Sequence, residues 1–299
     1  MLDFIAIGRQ IYRVGNWREA HRLVVFVIRA YIHYPALRNL YVFFEQDKLR
    51  KKILTNNKFP IEQATRSFFY KESTIKERVN LIKFHFQYLQ ERVKNEVIYN
   101  LYHDEAVKIW QADDKEVEWK ASLVSRAGQR KEGLLAIEMR YDEINLYQMM
   151  IWINQDENGY PALWIGAMQG PNTDNAKNLV KEATKRAHRY RTKNLIFFMT
   201  QILAKILKVE KIYAVSNNGY YAMNHIRCNR KLKTDFGAFW EEVGGKKTKD
   251  NRFFELPLNE KRKSIEEIPT RKRAVYRKRF MFQDDVANQI FTNMENVLL

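Results

Sequence analysis

The chain has 299 residues, 45% hydrophobic and 13% aromatic, with a formal net charge of +17. That length and apolar content suffice for one large domain or two ordinary ones and exclude a disordered or fibrous chain. One cysteine, Cys228, excludes an internal disulfide framework and a cysteine-built zinc site, while 11 glycines and 6 prolines leave little for flexible linkers or glycine-rich phosphate loops.

The first 112 residues are expected to form a helical region packed on the core. No secretory signal is read in "MLDFIAIGRQIYRVGNW", and "LVVFVI" is far too short to span a bilayer. The expectation is a soluble, cytoplasmic protein, at most peripheral at the inner membrane, with no transmembrane segment. Helices are predicted over 17–31 and 35–54, split near Pro35; their interleaved cations and aromatics suit core packing first and a membrane surface second. The clearest helix opens at Thr74, where Thr74 and Glu77 have capping-box spacing. Ile75, Val79, Ile82, Phe86, Leu89, Val93, Val97 and Leu101 follow at steps of three and four and predict one amphipathic helix.

From about 117 the period changes to two. "EVEWKASLVSRA", "LLAIEMRY", "NLYQMMIWI" and "ALWIGAMQG" are four predicted strands with short connections, hence an antiparallel meander. An apolar helix at about 194–208 and a strand "KIYAVSN" come next, with a last short strand at "RFFELPL". The fold class is α+β: a helical region, then a mixed, mainly antiparallel sheet with helices over 113–260, then a basic segment and C-terminal helix over 261–299, the end 281–299 being helical.

The charge is concentrated. Residues 181–193 hold six basic residues and one acidic, and 261–280 hold nine basic and two acidic. Such clustering points to an anionic ligand or partner: acyl-coenzyme A, acyl carrier protein, anionic lipid or nucleic acid. Dinucleotide-binding, Walker, zinc-protease and serine-elbow motifs are absent, and the six histidines show no paired metal spacing, so no metal site is predicted. His85 beside its apolar stripe reads as a satisfied core residue, and Cys228 among basic neighbours as structural.

The helix start "RTKNLIFFM" has Thr192 as its expected N-cap, flanked by Arg191 and Lys193. Free N–H groups, the helix dipole and added cations make an anion site by construction. Gln169 and Gly170 in "MQGPN", Lys185, and Asn217 after the next strand complete the expected anion-binding set. Antiparallel strands, a loop, a phosphate-ready helix and a returning strand are similar to the core of GNAT-type acyltransferases. There the loop and helix hold the pyrophosphate of an acyl-coenzyme A and the acyl chain lies where two strands splay; Arg and Lys would replace the usual glycine-rich loop. Such an enzyme needs a base and an acid but no covalent nucleophile and no covalently bound cofactor. His188 and Glu138 are the candidate bases; Tyr220, with Tyr221, is the candidate acid or oxyanion stabiliser.

The motifs "EGLLAIEMRYDEINLYQMMIWI", "IGAMQGP", "ATKRAHRYRTKNL", "VEKIYAVSNNGYY", "FGAFWEEVGG" and "RKRAVYRKRFMF" resemble the bacterial VirK/YbjX family over about 60–285. The family's "HGLRPK" stands here as "HRYRTK", so Arg189 and Thr192 replace a Gly and a Pro while His188, Arg191 and Lys193 are retained. The resemblance implies a setting in virulence, intracellular survival, resistance to cationic antimicrobial peptides and stress, without a reaction. Two alternatives to a transferase follow from the tail: a nucleic-acid-binding regulator, or a protein docking on anionic lipid or an acidic partner. Arg271, Lys272, Arg273, Arg277, Lys278 and Arg279 would carry either contact, with Tyr276 and Phe280 between them for stacking.

Overall fold

A computed structural model describes residues 2–12, 15–224 and 235–299. His225 and Cys228 lie outside the described residues. Seven helices come first: α1 (Phe4–Ile11), α2 (Trp17–Ile32), α3 (Tyr34–Glu45), α4 (Lys48–Asn56), α5 (Phe59–Thr65), α6 (Ile75–Gln90) and α7 (Asn95–Leu101). The strands are β1 (Val107–Gln111), β2 (Trp119–Val124), β3 (Leu135–Tyr141), β4 (Ile144–Gln155), β5 (Pro161–Gln169), β6 (Lys211–Val215), β7 (Lys246–Lys247) and β8 (Phe253–Leu256). Helices α8 (Ala176–Arg186) and α9 (Thr192–Ile206) join β5 to β6, α10 (Phe236–Glu242) precedes β7, and α11 (Thr270–Glu295) closes the chain.

The capping box of α6 forms as its spacing predicts: the Thr74 N–H donates to Glu77 at 2.6 Å and the Glu77 N–H to the Thr74 hydroxyl at 3.2 Å. The helix stops at Gln90, however, and Val97 and Leu101 belong to α7. The apolar stripe continues across the break because both helices bury the same side. Near Pro35 the expected split occurs, with the proline in the first turn of α3. A second break falls at Asp47, whose carboxylate caps α4 through the Arg50 N–H at 2.9 Å.

Among the described residues eight strands form one sheet ordered β1-β2-β3-β4-β5-β6-β8-β7. The four expected strands are β2 to β5, and they pair antiparallel in sequence. β5 and β6 form the parallel pair, joined through α8 and α9. Strand β1 lies in the stretch read as helical and pairs antiparallel with β2. α6 covers one face of β4 and α9 the other, while α11 packs on β1 and α9. α9 buries most of its length, including Leu195, Ile196, Met199, Ile202 and Leu203, each contributing about 1.5–3 kcal/mol by leaving water. α11 starts eleven residues earlier than the expected helix, at Thr270, and so takes in the basic segment. Lys and Arg are good helix formers, and Pro269 marks the entry.

Candidate functional site at the open end of the parallel pair

The parallel register runs from Ala162–Lys211 to Ile165–Ala214, where the pairing stops while β5 continues to Gln169. β6 ends at Val215, and the Ser216 N–H carries on its pairing with the β8 side by donating to the Arg252 carbonyl at 2.7 Å. Side chains gather beside the end of the parallel pairing. Glu132, 3% exposed, accepts from the Tyr220 hydroxyl at 2.5 Å and from the Gln169 amide at 2.9 Å. Burial raises the Glu132 carboxyl above the usual range, only partly offset by the Tyr220 hydrogen bond, Lys131 and Gln169. Burial and the neighbouring Glu132 charge push the Tyr220 phenol up, so it holds its proton.

Two glycines bring this pair together. A Cβ on Gly166 of β5 would stand 1.8 Å from the Glu132 carbonyl oxygen, and one on Gly219 would stand 2.0 Å from the Arg252 carbonyl oxygen. Only bare backbone allows the Glu132 loop to lie on β5 and Tyr220 to leave β6 where it does. Tyr220 is further held by a bridge to Tyr70 and by Lys71 N–H donation to the Gly219 carbonyl at 2.8 Å.

The cross-strand register extends the polar group. Glu138 of β3 stands opposite Gln148 of β4, and Gln148 opposite Gln169 of β5. Gln148 donates to Glu138 at 2.9 Å, and Arg126 lies 3.4 Å from the same carboxylate. Three expected residues, Glu138, Gln169 and Tyr220, therefore meet on one face through Gln148 and Glu132, which sequence reading missed. Glu132 immediately precedes Gly133 in "EGLL", but its partner Tyr220 is 88 residues away.

The other face of the same sheet end holds the helix mouth. Tyr147 of β4 neighbours Gly170, whose Cβ would lie 3.2 Å from its ring, and faces buried Thr192. Thr192 is not the cap: α9 begins at Thr192, Arg191 holds the cap position, and no side chain caps the helix. The buried Thr192 hydroxyl has no hydrogen-bond partner among the described residues, so it caps nothing in its own helix. Arg191 and Lys193 both pair with Glu242 at the end of α10, Lys193 at 3.2 Å. Glu242 is held below the usual carboxyl range: burial opposes this, and the hydrogen bonds from Lys193 and Arg191 outweigh it. The positive charge at this helix start has an internal counter-ion.

The remaining expected residues lie apart. Asn217 binds α10, donating to Asp235 at 2.8 Å and accepting from the Phe236 N–H at 2.7 Å. Lys185 is exposed in the last turn of α8. His188 and Arg189 are both left-handed, with φ of 51° and 64°, so the tight turn persists without the family's glycine. Arg279 of α11 grips that turn, donating to the His188 carbonyl at 3.3 Å and the Arg189 carbonyl at 3.0 Å. The His188 ring sits edge-on to Phe282 beside a cleft of about 450 Å³, with its pKa lowered by burial, Lys278 and Arg279. In the basic tail Arg273 binds the Ile268 carbonyl at 3.0 Å, while Arg271, Lys272, Arg277 and Lys278 are exposed. His85 is fully buried and bonded at both nitrogens, to the Tyr102 hydroxyl at 2.7 Å and the Ile153 N–H at 3.0 Å. Among the described residues no three His, Cys, Asp or Glu side chains are placed to hold a metal ion, and no helix is long and apolar enough to cross a membrane.

The chain is 28% identical to the uncharacterized protein YbjX of Escherichia coli (strain K12) over 221 residues, 73% of this chain and 66% of that protein. It is 35% and 33% identical to two uncharacterized Haemophilus influenzae proteins over 129 residues, 43% of this chain and 42% and 43% of theirs. The chain thus spans less than two thirds of the length of these relatives. No solved structure matches. The model for the family described as "Protein of unknown function (DUF535)" matches residues 15–292. On that coverage and the YbjX match, the chain belongs to this family, the VirK/YbjX family.

Proposed function

We propose that the chain is a GNAT-like acyltransferase that takes its acyl group from acyl-coenzyme A or acyl carrier protein. The observation that carries the reading is the Glu132–Tyr220 hydrogen bond close to where the parallel pairing of β5 and β6 ends. A buried carboxylate with a raised pKa is a stronger base toward an amine or hydroxyl than a solvated one. In the reaction the acceptor's nitrogen or oxygen attacks the thioester carbonyl and gives its proton to Glu132. The new C–N or C–O bond forms as the C–S bond breaks, and the departing thiolate takes the Tyr220 proton. Glu132 returns its proton to Tyr220 along their 2.5 Å hydrogen bond.

The sheet supports this division of labour. Glu138, Gln148 and Gln169 line one face and offer donors and acceptors to orient the acceptor. On the other face the start of α9, beside Gly170 and Thr192, is where the donor's phosphates would meet Arg191 and Lys193. Acylation of an envelope component would give the antimicrobial-peptide setting implied by the family resemblance a chemical basis.

Calorimetric titration with acetyl-CoA, palmitoyl-CoA, CoA alone and acylated carrier protein tests the reading. Saturable binding of a donor, with acyl release lost in Tyr220→Phe while binding persists, is the expected result. No binding to any of the four removes the transferase reading.

A further inference from the structure

Helix α2 reverses the usual layout of a surface helix. Phe26 and Ala30 face the protein. With about 100° of turn per residue, Trp17, His21, Val24, Ile28, Tyr31 and Ile32 share the opposite, outward side. Trp17 is 80% exposed, Val24 56%, Ile28 55% and Ile32 68%. The arginines do not interrupt this stripe. Arg18, Arg22 and Arg29 fall together along one flank and are all exposed, with Arg22 also bonded to Glu19 at 2.5 Å. Exposed apolar side chains are ordinary singly, but a continuous outward stripe of four or five marks an interaction surface.

We propose that this face docks on an anionic phospholipid surface, with α2 lying in the plane of the interface. The occupant follows from chemistry on both sides of the stripe. Val24, Ile28 and Ile32 suit the acyl boundary, Trp17 the headgroup level, and a one-sided arginine row the lipid phosphates. Lys131, within electrostatic range of Arg22, is exposed as well. A second copy of this chain is a poor occupant, because each copy brings a net charge of +17. The helix is 16 residues long, about 24 Å at 1.5 Å per residue, and it rests on the body of the protein along its other side. It is therefore built to lie on a bilayer rather than cross one.

The test uses the full chain with vesicles of phosphatidylcholine alone and with phosphatidylglycerol added. Trp17 is the most exposed tryptophan: Trp110, Trp119, Trp152 and Trp240 are buried and Trp164 is half-buried. Its emission should shift to the blue and be quenched by brominated lipid only when the anionic component is present, and Trp17→Phe should remove the signal. Val24→Asp/Ile28→Asp, surface changes that leave thermal unfolding unaltered, should weaken co-sedimentation about tenfold or more. Replacing Arg18, Arg22 or Arg29 by Gln should weaken it about fivefold per residue. No Trp17 shift on anionic vesicles, or co-sedimentation unchanged in the double aspartate variant, overturns the proposal. So does a concentration-dependent dimer that the same variant dissolves, with no vesicle binding.

Discussion

Glu242 occupies the place at the start of α9 that an incoming anion would take. Replacing it by Gln keeps the shape and removes the charge. Arg191, Lys193 and Glu242 have side chains 53%, 22% and 39% exposed, so each pair is screened by solvent and contributes about 0.2–1 kcal/mol. Two such pairs, set against two cations left beside a helix N-terminus, give a stability loss of about 1 kcal/mol in Glu242→Gln. Any phosphate that must displace Glu242 to reach Arg191 and Lys193 is released from the same competition. Its affinity should rise by about 1 kcal/mol, roughly fivefold. The assay is calorimetric titration of wild type and Glu242→Gln with CoA at fixed ionic strength, with denaturant unfolding alongside. Tighter binding together with lower stability is expected. Unchanged affinity would mean that the phosphates do not meet Arg191 and Lys193, and weaker affinity would mean that Glu242 helps to hold the ligand; either result refutes the anion site at this helix.

Three further predictions concern the frame around the site. Burial lowers the His85 pKa from 6.5 to about 3, so the folded protein holds the ring neutral while the unfolded chain protonates it near 6.5; stability is full above that value and is lost as pH falls through the window down to about 3. Between pH 8 and pH 5 the loss from this group is about 2 kcal/mol, and it should disappear from the difference between the two pH values in His85→Asn, read by urea unfolding. Arg189→Gly relieves a left-handed residue and should stabilise by about 0.5–1 kcal/mol, net of the added chain entropy, with the denaturant midpoint rising and the slope unchanged. Gly166→Ala drives a methyl into the Glu132 carbonyl and should cost about 2 kcal/mol or more and depress acyl release with it, whereas a fully stable and active variant would contradict the role given to that contact.

Much of the fold is written locally. The Thr74 capping box, the alternation read in the sequence of β2 and β3, the β-rich runs of β4 and β5 and the apolar run of α9 each rest on residues within a few positions of one another. Where the pattern failed, the reason is physical. The turn between α6 and α7 left no trace in periodicity because Val93, Ile98 and Leu101 are buried alongside α6's own stripe. α8 leaves little apolar signal in the sequence because it buries only Leu179 and Ala183. Gln169, Tyr220 and Glu138, named from the sequence, are brought together by the fold, whereas Glu132 is invisible locally because its backbone lies on β5 at Gly166. Sequence reading identified Arg191 and Lys193 as cations in need of an anion, but not Glu242, 49 residues beyond Lys193. Thr192 has a capping residue's chemistry, yet it is the first residue inside α9 and its buried hydroxyl meets no backbone N–H among the described residues.

The most direct test is a crystal structure with a non-hydrolysable acyl-CoA analogue. The analogue's carbonyl is expected where the parallel pairing ends at Ile165 and Ala214, within hydrogen-bond reach of the Tyr220 hydroxyl, with its phosphates at the start of α9 against Arg191 and Lys193. An analogue bound elsewhere, or no analogue bound at saturating concentration with Glu132 and Tyr220 unchanged, would contradict the acyltransferase reading.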